Sequence, residues 1–167
     1  MSEPEPAQFV NCVVGQIVDC KNLEGSNQLY VCEVNIGNDE TKHIVTNVRK
    51  FYSLDEMKDK RVCVYTNAEP TEIFGEISEG MLIGCGPDKD HVELVEPDLD
   101  EEIGALIYFG SATEDEVTEI DQRSKYWRKM LNDLKIDREG NALYKGENVY
   151  TDHGNITAPS FRNCGFQ

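Results

Sequence analysis

The chain has 167 residues, 39% of them hydrophobic and 29% charged, and its 16 Lys and Arg face 32 Asp and Glu for a net charge of −16. That length holds one domain or two small ones, and the apolar content supports a packed core, which speaks against wholesale disorder. An acidic field of this size repels polyanions as a whole, but it is uneven: residues 1–110 carry eight cations against 22 anions, residues 111–167 eight against ten.

In chain order, residues 1–8 are acidic and Pro-rich and read as a linker. Phe9 to Val18 is rich in β-branched residues and interrupted by Gly15, the pattern of a strand with a bend or bulge. Turn chemistry at 21–28 leads into a strand at 29–36, and Gly37-Asn38-Asp39 into another through Thr46. Ser53-Leu-Asp-Glu56 is a capping box opening a short helix at 54–57. Residues 61–66 and 80–84 read as a fourth and fifth strand, and 91–95 as a hairpin arm after the turn Gly86-Pro87-Asp88. Five short strands with a helix between the third and fourth predict a mainly β, five-stranded OB-fold barrel over 9–109, with a C-terminal α+β annex over 110–167.

In that annex, a second capping box at Thr113–Glu116 precedes a helical pattern, with Trp127, Met130, Leu131 and Leu134 on one face. Residues 142–146 and 149–150 read as hairpin strands. The run 96–102, including Glu101 and Glu102, reads as a solvated connector, lacking the glycine and terminal Glu of a calcium loop.

Little in the chain points to catalysis. His43, His91 and His153 are widely separated and lie near no ligand cluster, so no metal is expected. There is no Ser-His-Asp set, phosphate-cradling glycine loop or nucleotide fingerprint; neither enzyme activity nor a cofactor is expected. Cys12, Cys20, Cys32, Cys63, Cys85 and Cys164 show no paired short spacing and read as free thiols in a reducing cytosol. No apolar run of ~20 residues is present to cross a membrane. The expected location is cytoplasmic.

One stretch is more specific. Asn67 to Gly84, ending in Ser78-x-Gly80-Met81, and Leu29 to Gly37 together resemble the C-terminal tRNA-binding domain family of endothelial-monocyte-activating polypeptide II, also appended to tyrosyl-, methionyl- and lysyl-tRNA synthetases. The likeness extends through 44–47, 50–53, 143–146 and 158–161. It implies an auxiliary, non-catalytic domain that holds tRNA non-specifically for a synthetase catalytic body in cis. Because the family's annex mimics a dimer interface, a monomer is implied.

The family's groove cations are replaced here by Glu69, Glu72 and Phe74, while Ser78, Gly80 and Met81 are retained. The Asn22–Asn27 loop stands in place of a His-Pro-containing one. Weak tRNA binding is therefore expected, with Phe74 as a stacking residue or a buried loop anchor. Arg123, Lys125, Arg128 and Lys129, around Tyr126 and Trp127, are the best remaining polyanion-binding cluster, joined by Arg49 and Lys50 if these lie alongside. The family's signalling heptapeptide falls on Val13, Val14, Gly15, Gln16, Ile17, Val18 and Asp19, with Val13 in place of its opening Arg. This carries the alternative of a cytokine-like or protein-interaction module with a basic partner or receptor. Secretion would follow only from that alternative.

Overall fold

The computed structural model describes residues 4–112 and 117–167, so the capping box read at Thr113–Glu116 lies outside the described residues. The alternating segments fold as β1 (Cys12–Asn22), β2 (Tyr30–Asn35) and β3 (Thr41–Thr46), an antiparallel meander. Helix α1 (Leu54–Met57) follows, and both halves of its capping box form: Ser53 Oγ accepts the Glu56 amide at 3.1 Å and Glu56 Oε1 accepts the Ser53 amide at 2.9 Å. Next come β4 (Arg61–Tyr65), a hairpin of β5 (Thr71–Ile73) and β6 (Glu76–Ser78), and β7 (Met81–Leu82).

The first sheet runs β3-β2-β1-β4-β7 and curls until its two edges nearly meet. Ser78 stitches that seam. Its buried hydroxyl accepts the Val45 amide and donates to the Gly80 carbonyl, both at 3.0 Å, while the Glu79 amide donates to the His43 carbonyl at 2.7 Å. Gly80 is required there because a Cβ would lie 2.7 Å from the Tyr65 carbonyl oxygen. The result is the expected mainly β, five-stranded OB-type barrel.

Gly15 does not carry the register irregularity of β1. Its missing Cβ makes room for Val64 and Val34, whose methyls would lie 2.8 and 3.0 Å from it, and the register irregularity falls between Ile17 and Asp19.

The rest of the chain builds a second sheet from β8 (Gly84–Asp88), β9 (His91–Leu94), β10 (Tyr108–Phe109), β11 (Leu134–Ile136), β12 (Ala142–Tyr144), β13 (Glu147–Thr151), β14 (Gly154–Asn155) and β15 (Cys164–Phe166). Its order is β10-β13-β12-β11-β15-β8-β9, with β14 on β13. Strand β15 pairs with β8, which grafts the annex directly onto the end of the barrel. The hydrophobic core is accordingly shared: Val14, Cys63 and Tyr65 pack in one cluster with Trp127, Met130 and Leu134. A second cluster, including Ile17, Val34, Ile44 and Val62, fills the barrel itself.

Three local expectations need correction. The helix expected to carry Trp127, Met130, Leu131 and Leu134 is α2 (Lys125–Leu131) and stops at Leu131; Leu134 instead begins β11, paired with Tyr144, so the apolar stripe spans a helix and a strand. The turn expected at 86–88 is strand β8, and the chain reverses after Asp88. Glu101 is no solvated charge: it is buried and accepts the amides of Glu102 (2.9 Å) and His153 (3.1 Å) and faces His153 Nδ1 at 2.9 Å.

Residues Pro6–Phe9 form a 3-10 turn against α2, where the Phe9 ring stacks on Tyr126 with centroids 4.3 Å apart. Glu5 joins them to the annex through the Tyr144 hydroxyl and Lys145 Nζ, the latter at 2.8 Å.

Candidate nucleic-acid interface

The β4–β7 connection projects the β5/β6 hairpin beside the β1–β2 loop. Ile73 pairs with Glu76, leaving Phe74 and Gly75 as a two-residue turn with φ of +49° and +85°. Both central residues in the left-handed region is the I′ pattern, usually built from Asn and Gly. A bulky aromatic held in that conformation is strained. Phe74 is nonetheless 64% exposed, so its ring is not buried in the loop. Its ring leans toward Gly25 of the β1–β2 loop, where an added Cβ would lie 3.7 Å from Phe74 Cδ1.

The hairpin is fixed at its root. Ile73 packs on Leu23, Val31 and Val45. His43 of β3 lies between two carboxylates, bonding Glu33 through Nδ1 and Glu76 through Nε2, the second at 2.9 Å, while its amide donates to Glu79 at 2.8 Å. The Glu33 hydrogen bond, reinforced by Glu76, raises the His43 pKa against the opposing effect of burial.

Beneath the hairpin lies a groove of about 550 Å³. Val48, Phe51, Leu82 and Leu94 contribute apolar surface, and Ile73 and Met81 do so from the hairpin side. Gln28, Asn47, Lys50, Lys89, Asp90 and Gln167 supply its polar groups. The volume is ordinary for a small-molecule or nucleotide site. Lys89, Asn47 and Gln167 are additions to the residues marked in the sequence. Lys89 lies in the chain reversal between β8 and β9 and Gln167 beyond β15, so only the paired sheet brings them to the barrel.

The other marked residues are distributed differently. Ser78 and Gly80 are buried in the barrel seam, while Met81 is half-buried at the groove. Arg49 is tied to the β1–β2 loop, its Nη1 donating to the Ser26 carbonyl at 2.7 Å. Lys50 is exposed at the groove. Val13, Val14, Gly15 and Ile17 are buried in the central strand; of the heptapeptide only Val18 and Asp19 are exposed, with Gln16 half-buried.

Arg123, Lys125, Arg128 and Lys129 are all exposed on the annex. Lys125 and Lys129 extend over the Tyr126 ring, 5.4 and 5.8 Å from its centroid. The helix meets the barrel at the start of the β4–β5 connection, where the Arg123 amide donates to Glu69 at 2.6 Å and Asp121 bridges Ala68. The contacts therefore place Lys50 at the groove, Arg49 at the β1–β2 loop and the four cations on the helix side. The acidic hairpin residues Glu69, Glu72, Glu76 and Glu79 belong to the connection between them.

This architecture is a tRNA-binding-type OB barrel with a C-terminal annex. The chain belongs to the family described as "Putative tRNA binding domain", whose sequence model matches residues 12–106. The protein named "Probable methionine--tRNA ligase" of Oryza sativa subsp. japonica is 31% identical over 143 residues, covering 84% of this chain and 18% of that protein. The aminoacyl tRNA synthase complex-interacting multifunctional protein 1 of Mus musculus is 27% identical over 145 residues, covering 87% of this chain and 46% of that protein. The chain thus spans less than a fifth of the methionine–tRNA ligases reported for Oryza sativa and Arabidopsis thaliana. The C-terminal domain of Plasmodium vivax p43 has the same fold from end to end: TM-score 0.84 at 20% identity, covering 98% of this chain and 99% of that one. No helix among the described residues is long and apolar enough to cross a membrane.

Proposed function

We propose that this domain holds tRNA weakly and without sequence preference, as a non-catalytic appendix that raises the tRNA concentration around a synthetase. The observation that carries this reading is the groove, where an apolar lining meets Lys50 and Lys89 in a chain that is otherwise strongly acidic. Unpaired bases stack on apolar and aromatic faces while cations follow the backbone, and this arrangement supplies both. Phe74 offers a further stacking face at the rim. The exposed cations of α2 form a secondary phosphate-binding patch.

Glu69, Glu72, Glu76 and Glu79 weaken the association by repelling phosphates between these two places. They also favour the second reading, a basic protein partner meeting the acidic hairpin. The monomeric state is part of the proposal, supported by an annex that pairs with the barrel through β15 and shares its core.

Titrating the isotopically labelled domain with unmodified tRNA distinguishes the readings through its amide shifts. Shifts at Lys50, Phe74, Lys89 and Gln167 are expected. Saturating tRNA that moves no amide at low salt would overturn tRNA binding and leave the protein partner.

A further inference from the structure

Cys20 and Cys32 lie opposite each other on β1 and β2, and their sulfurs are 3.3 Å apart. The Leu23 amide donates to the Leu29 carbonyl at 3.1 Å, so counting back along the ladder puts Cys20 and Cys32 at a non-hydrogen-bonded pair. Opposed Cα atoms at such a pair are ~4.5 Å apart, within the range a disulfide spans. Ladder geometry and sulfur distance therefore agree.

Access is asymmetric. Cys32 is fully buried, whereas Cys20 is half-buried, beyond the Cys12–Gln16 stretch that β4 covers. The Cys32 S–H donates to the Cys20 sulfur. That bond lowers the Cys20 pKa and raises that of Cys32. The outer thiol is thus the better nucleophile, and the inner one is placed to follow it. Cys12, Cys63, Cys85 and Cys164 are all buried.

We propose that Cys20 and Cys32 form a reversible dithiol–disulfide site oxidised by exchange with a small-molecule disulfide. Cys20, having lost its proton to solvent, attacks one sulfur of that disulfide and forms a mixed disulfide, expelling the other half as a thiolate. Cys32 then loses its proton, and its sulfur attacks Cys20, forming the cross-strand bond and expelling the second thiolate. The protein loses two electrons and two protons, and the small disulfide is reduced to two thiols.

The new bond would fasten the base of the β1–β2 loop. That loop carries Gln28 to the groove and Gly25 to Phe74, so oxidation fixes one groove wall. This consequence is independent of what the groove binds.

The experiment treats the whole chain with oxidised glutathione, maps peptides by mass without reduction, and follows hydrogen exchange over residues 23–29. The expected product is a Cys20–Cys32 disulfide, reversed by dithiothreitol, with slower exchange in the loop. Cys32→Ser should stop at a glutathione adduct on Cys20, and Cys20→Ser should block both products. A wild-type protein that keeps both thiols free, keeps a stable adduct on Cys20, or links Cys85 to Cys164 instead would overturn the proposal.

Discussion

Asp121 is buried under the barrel and accepts the Tyr65 hydroxyl at 2.6 Å, so a residue of the annex is held by the end of a barrel strand. The same carboxylate accepts the amides of Tyr126 and Trp127, each at 3.1 Å, and thereby caps α2 from several residues upstream. The Trp127 ring then stacks on Tyr65 with centroids 5.2 Å apart. One side chain thus sets the helix start and its docking.

Asp121→Ala should destabilise the whole molecule rather than release the annex alone, because it leaves a buried hydroxyl and two helix amides without their acceptor. Hydrogen bonds to charged groups contribute ~1.5–3 kcal/mol each, though not additively, so a loss of roughly 3 kcal/mol in urea unfolding is expected. A single cooperative transition at a lower midpoint is the predicted curve. Two separate transitions would show that barrel and annex are independent.

Phe74 should show opposite effects on stability and binding. Replacing it with Gly removes an aromatic from the left-handed region and should raise stability by about 1 kcal/mol, read as a higher melting temperature. The same change should weaken tRNA binding by ~1–3 kcal/mol if the ring stacks on a base. A variant that loses stability would show that the ring anchors the loop instead.

The His43 clasp makes hairpin protection depend on pH. Its folded pKa is raised, chiefly by Glu33, so its stabilisation is fully present below the unfolded value of about 6.5 and is lost as pH rises through the folded value. The groups facing it are Glu33 on β2, Glu76 on β6 and Glu79 just beyond. Exchange of the 71–78 amides, corrected for its intrinsic pH dependence, should therefore rise across that window. His43→Gln should remove the extra rise.

Glu101 acts with the opposite sign. Burial pushes its pKa up, but bonds from Glu102, Thr151 and His153 outweigh burial and hold it below the ordinary value. Its contribution is present above an unfolded pKa of about 4.3 and is lost as pH falls through the lower folded value. Glu101→Gln should flatten the acid limb of the stability curve.

The barrel was legible because its signals are local: alternation defines β1 to β4, and Ser53 and Glu56 define α1 as four residues suffice to do. Most of the annex was less so. Asp121 caps α2 through amides five and six residues away, and Leu134 continues the helical spacing although it begins a strand and pairs with Tyr144 of β12. Of the residues marked in the sequence, Lys50 and Met81 line the groove, and both belong to the barrel. Gln167 reaches it only through the pairing of β8 with β15, a long-range register that no short window of sequence contains, while Lys89 sits in the reversal between β8 and β9. Cys20 and Cys32 were missed for the same reason: they are twelve residues apart and meet through strand pairing.

The most direct measurement is tRNA affinity across a salt series for the intact chain and the Lys50→Ala/Lys89→Ala variant, beside a variant with Arg123, Lys125, Arg128 and Lys129 changed to Ala. The groove account predicts binding that weakens with salt, with the slope of log affinity against log salt falling by roughly 0.7 for each groove cation removed. The annex variant should lose slope as well while keeping binding at low salt. An unchanged slope in the groove variant, or no binding by the intact chain at low salt, would contradict it.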